Sequence, residues 1–103
     1  MNPWRATTPQ EVNALLASAL RSLTATHRAK FDQIRVPAKE VPLASDPGSN
    51  VCVVAEFDRK VVYWSDIEEG WELAELDALG RVPERGSNQY ELSHLAEQLW
   101  GTR

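Results

Sequence analysis

Apolar residues recur along the first third of the chain at helical spacing. Val12, Leu15, Leu16, Ala19, Leu20 and Leu23 follow the i, i+3, i+4, i+7 pattern of a helix buried on one side, and His27 and Phe31 extend the stripe in steps of four. Thr8 stands where an N-cap belongs, Pro9 takes the first helical position, where its missing N–H costs nothing, and Glu11 completes a capping box. The pattern predicts an amphipathic helix over about residues 9–29.

The period then changes to two. "FDQIRV" alternates, with Ile34 and Val36 on one face, and predicts a short strand ended by Pro37. "PAKEVPLASDPGSN" holds three prolines and an Asp-Pro-Gly-Ser turn signal, so it reads as a loop inside the domain. "NVCVVAEFDRKVVYWSD" reads as a hairpin that reverses at Asp58-Arg59. Val51, Val53, Ala55 and Phe57 face one way, and Cys52, Val54 and Glu56 the other. Apolar residues on both faces predict that this pair is central in its sheet. "SDIEEG" leads into the strand "WELAEL", and "DALG" turns the chain again. Irregular sequence follows over 81–86, after which Asn88 as cap, with Glu91 three residues later, predicts a second helix. Its stripe is Leu92, Leu95, Ala96, Leu99 and Trp100, and Gly101 supplies the stop.

The expected fold is α+β: one domain over 1–103, with an antiparallel four-stranded sheet and N-terminal and C-terminal helices packed on one face, in the order α-β-β-β-β-α. A chain of 103 residues suffices for one core but not two. No apolar run approaches the roughly 20 residues that span a bilayer, so no membrane is expected as a partner. "MNPWRATTPQ" lacks the apolar stretch of a secretory signal. The single cysteine, Cys52, excludes an internal disulfide framework and fits a reducing compartment, so the expected location is cytoplasmic.

Charge changes the picture more than composition does. The net charge is −4, but residues 1–45 carry +3, residues 46–80 carry −7 and residues 81–103 are balanced. An acidic middle third repels phosphates, which argues against nucleic acid as the ligand there. It attracts a cationic protein or a metal ion. The acidity centres on "YWSDIEEGWEL", where Trp64 and Trp71 bracket Asp66, Glu68 and Glu69.

The chemistry-bearing residues point away from catalysis. Cys52 lies inside an apolar run, where cysteine behaves as a small core residue. Ser87 has no nucleophile-elbow pattern, and His27 and His94 lack zinc-ligand spacing. "DIEEGWE" does not place ligands as an EF-hand calcium loop requires. No catalytic residue, resident metal or cofactor is therefore expected, and the chain reads as non-enzymatic. The protein-binding reading uses Trp64, Asp66, Glu68, Glu69, Trp71, Glu72, Glu75, Asp77 and Tyr90: aromatic anchors among acids that steer a basic protein partner. Strand alternation places Trp71 and Leu73 on one face of the sheet with Glu72 opposite, so at least one of Trp64 and Trp71 should be core. The alternative is a small metal- or ligand-binding domain using Asp66, Glu68 and Glu69.

The two-helix, antiparallel-sheet layout, the acidic "YWSDIEEGWELAEL" and the tail "GRVPERGSNQYELSHLAEQL" resemble small bacterial immunity proteins of polymorphic and contact-dependent toxin systems. The resemblance covers about residues 51–100 and implies a cytoplasmic protein that neutralises a cognate toxin, often a basic nuclease, by binding it. The helix–sheet–helix order is also similar to frataxin-like proteins, which bind iron through acidic surfaces. This chain departs from them in its first helix, which is not acidic, and in lacking their Asn/Gln/Pro-rich strand followed by Trp-Leu-Ala.

Overall fold

The N-terminal stripe folds as two helices, not one. The structure, a computed structural model, describes residues 7–66, 69–84 and 90–101. Helix α1 (Pro9–Leu20) opens as expected: Thr8 Oγ1 accepts from the Glu11 N–H at 3.2 Å, and Glu11 Oε1 accepts from the Thr8 N–H at 3.1 Å. After Leu20 the N–H groups of Arg21, Ser22 and Leu23 reach back three residues, at 3.0–3.2 Å, the tightened turn that closes many helices. Thr24 is extended (ψ 161°), and its Oγ1 accepts from the His27 N–H at 3.1 Å, capping a new helix, α2 (Ala25–Ile34). His27 and Phe31 are buried as the stripe predicts, but on the second helix.

Helix α2 also takes "FDQI", expected as strand, and strand β1 (Arg35–Pro42) takes the first six residues of the expected loop. Its prolines are tolerated because β1 is an edge strand. The register with the next strand slips between Arg35 and Lys39, around Pro37. Strands β2 (Asn50–Phe57), β3 (Lys60–Ser65) and β4 (Gly70–Glu75) complete an antiparallel sheet in the order β1-β2-β3-β4, so the expected hairpin is central. Asp58 and Arg59 reverse it with φ of 46° and 64°, the two positive values that a type I′ turn requires, here without glycine or asparagine.

Strand β2 contains a bulge that alternation alone does not show. Val53 pairs with Tyr63 and Ala55 with Val62, so Val54 is an extra residue. Ala55, expected beside Val53, joins Cys52 and Val54 instead.

Helix α3 (Leu92–Trp100) starts later than expected. Asn88 lies outside the described residues, and Glu91 takes the cap position. The cause is Tyr90, whose carbonyl accepts the Trp71 N–H at 2.9 Å in an isolated antiparallel bridge that holds this stretch extended. Gly101 stops the helix with φ 80°.

Two apolar clusters form the core. Val12, Leu16 and Leu20 of α1, Phe31 of α2, and Leu92 and Leu95 of α3 gather with Cys52, Val54, Ala55, Val62 and Trp71. The second cluster holds Val51, Val53, Val61 and Tyr63 with Val41, Leu43 and Val82. Val82 reaches it because the chain after β4 returns to the far edge: the Val82 N–H donates to Pro42 O at 3.0 Å, and Val82 O accepts from the Ala44 N–H at 2.8 Å. The class is α+β, a four-stranded antiparallel sheet with helices before and after it in the order ααββββα. No helix among the described residues is long and apolar enough to cross a membrane.

Thr24 distinguishes two helices from one by the sign of an effect. As a cap, its replacement in Thr24→Ala lowers stability by about 1 kcal/mol. In an unbroken helix the same change would raise stability by a few tenths of a kcal/mol, because alanine is the better helix former. Urea titration of Thr24→Ala reads the sign directly, with Thr8→Ala, expected to lose about 1 kcal/mol, as reference.

Candidate functional site

The antiparallel pairing of β3 with β4 sets Trp64 directly opposite Trp71. Their ring centroids are 5.1 Å apart and their planes inclined by 70°, an edge-to-face pair of a kind worth about 0.5–1.5 kcal/mol beyond buried area. Trp71 is core, 4% exposed, while Trp64 is half-buried and packs against the same cluster. At least one core tryptophan is expected, and it is Trp71; Trp64 sits at the margin of the cluster.

Trp64 borders two open hollows between α1, the β3–β4 connection and the start of α3. The first, about 560 Å³, is lined by Trp64, Trp71 and Tyr90, by Ser18 of α1 and Ser22 of the turn after it, and by Glu69 and Glu91. The second, about 620 Å³, is lined by Trp64, Leu15, Ser18, Glu11, Asp66 and Glu69. Sharing Trp64, Ser18 and Glu69, the two hollows adjoin, and we treat them as two lobes of one groove that the indole borders.

The groove is acidic. Asp66 Oδ2 accepts the Thr7 N–H at 3.3 Å, tying the β3–β4 connection to the segment leading into α1. Glu11 belongs to the α1 capping box, and Glu91, at the α3 cap, is exposed. Glu69 is exposed and held at φ 52°, a left-handed conformation that its turn imposes. Among the described residues lining either lobe there is no lysine, arginine, histidine or cysteine. The arrangement suits holding a cationic group against an aromatic ring.

Of the residues expected from sequence, Trp64, Asp66, Glu69, Trp71 and Tyr90 come together here. Glu68 lies outside the described residues. Glu72, expected among the exposed acids, is only 3% exposed, paired with Tyr63 across the sheet, because strand alternation turns it away from Trp71. Glu75 is exposed at the far end of β4. Asp77 is engaged in its own turn, accepting from the N–H groups of Leu79 and Arg81 and from Arg81 Nε, each at 2.9 Å. The contributions of α1 and of Glu91 were not expected. Leu15, read as core, is 37% exposed and walls the second lobe.

Among the described residues no group of three or more His, Cys, Asp or Glu side chains could hold a metal ion. The Cys52 thiol is pushed up to about 11 by burial, with Asp66 and then Glu40 adding to the effect. His27, 3% exposed, lies 6.0 Å from the Trp100 ring, and its Nε2 has no hydrogen-bond partner among the described residues. Comparison with family models, curated proteins and solved structures finds no match for this chain.

Two side chains give pH-dependent tests. The Arg81 N–H, then the Leu79 N–H and the Arg81 guanidinium, hold the Asp77 carboxyl below its ordinary range. A lowered folded value means that the ionised form stabilises the fold above the ordinary carboxylate range, and that this contribution is lost as pH falls through the lowered value. Asp77→Asn should therefore melt below wild type near neutral pH, and the gap should close in strong acid. Cys52, with its thiol near 11, should resist iodoacetamide near pH 8 in the folded protein and react promptly in urea, as followed by mass spectrometry.

Proposed function

We propose that this chain is a non-enzymatic protein-binding module, most concretely a cytoplasmic immunity protein that occludes a cationic toxin domain. The observation that carries the reading is the groove on Trp64, an aromatic surface rimmed by Glu11, Asp66, Glu69 and Glu91 and lined by no basic side chain among the described residues. Carboxylates around a partly exposed indole give a basic partner both attraction and a desolvated contact. Residues 46–80, at −7, extend the same field along the chain. The acids act chiefly on association, and the indole on how long the complex lasts. Glu72 and Asp77, one buried and one engaged in its turn, belong to the scaffold in this reading.

The test uses a basic toxin domain as the candidate partner. Attraction of this kind fades as salt shortens the Debye length, about 8 Å at physiological strength. In stopped-flow measurements, Asp66→Asn with Glu69→Asn should slow association and flatten its salt dependence. The fold should survive, because asparagine at 66 keeps an acceptor for Thr7 and asparagine at 69 tolerates a positive φ. An unchanged rate and an unchanged salt slope would reduce the acidic stretch to a solvated turn.

A further inference from the structure

We infer that the groove reads arginine in preference to lysine, with a guanidinium of the partner laid on the Trp64 indole that borders both lobes. The inference rests on the protein-binding reading and specifies the chemistry of the group bound. Lysine and arginine carry the same charge, so an acidic rim alone draws both equally. What separates them is the floor. Trp64 is braced edge-to-face against the buried Trp71, a contact that favours one orientation of its ring. Tyr90 borders the first lobe beside this pair and is tied to Trp71 through the backbone. A planar guanidinium stacks on an indole and keeps its in-plane N–H donors free for carboxylates at the sides, whereas an ammonium is a compact, strongly hydrated point charge that does neither as well.

The rim is placed for that geometry. Glu69 borders both lobes, Asp66 and Glu11 stand on the second and Glu91 on the first, so each lobe that the indole borders has carboxylate acceptors. Glu69 and Glu91 are exposed, and they are the acids best placed to meet a fork of donors from solvent. Leu15, exposed on α1, and Ala14 offer the second lobe an apolar wall for the methylene stem of the same side chain. The lobes, about 560 and 620 Å³, admit a short stretch of chain around the arginine.

The experiment titrates the full chain with fluorescein-labelled hexa-arginine, hexa-lysine and hexa-glutamate peptides at physiological salt, read by anisotropy. Hexa-arginine should bind about three- to fivefold more tightly than hexa-lysine, the margin that a partly exposed cation–π contact supplies. Hexa-glutamate should not bind. Trp64→Leu should bring hexa-arginine down to the hexa-lysine level, and Glu69→Asn should weaken both basic peptides by a similar factor. Trp64→Phe, which keeps a smaller aromatic face, should retain part of the preference and serves if the leucine variant fails to fold. Equal binding of the two basic peptides to wild type, or a preference that survives loss of the aromatic face, would overturn the arginine inference and leave the acidic-surface reading standing. Failure of both basic peptides to bind would overturn the two together.

Discussion

The central strands β2 and β3 carry apolar side chains on both sides, and that requirement organises the rest of the molecule. Val53, Val54, Val61 and Val62 are all fully buried, although they alternate between the two clusters. A strand apolar on one side needs one cover; these need two. One cluster is completed by residues from all three helices, and the other by Leu43 and Val82, drawn from segments beyond β1 and β4. The long return after β4 thus has a structural purpose: it closes the second cluster by bridging Leu43 with Val82.

The same requirement places the groove. Trp71 is needed inside the first cluster, and its cross-strand partner Trp64 is left half-covered beside α1. Tyr90 caps the edge of β4 at Trp71 and thereby delays α3, which puts Glu91 on the rim. The hydrogen bond from Thr7 to Asp66 and the capping box of Thr8 with Glu11 bring the remaining carboxylates alongside.

Much of this was legible in the sequence, and the misses have local causes. The hairpin, its reversal at Asp58-Arg59 and its central position followed from apolar alternation on both faces. The break at Thr24 was hidden because His27 and Phe31 keep the stripe's spacing across it, so periodicity reported burial correctly and continuity wrongly. Ile34 and Val36 resemble a strand face but contribute to different clusters, one from α2 and one from β1. At the site, alternation separated Glu72 from Trp71, yet nothing local indicated that α1 would wall the groove. Leu15 sits in a stripe wider than its helix buries, and only packing shows which apolar residue is left outside.

The bulge at Val54 has a further consequence for how this chain tolerates changes in length. Elsewhere in a strand, losing one residue inverts every side chain up to the next turn. Here Val54 and Ala55 both point into the first cluster, so the strand already contains a one-residue phase shift. Removing Val54 would restore regular pairing, with Val53 still opposite Tyr63 and Ala55 still opposite Val62, and each remaining side chain would keep its side. The loss would be one valine's worth of core, not a rewritten strand. The centre of β2 is thus a place where the sheet's reading frame can lose a residue without changing its meaning.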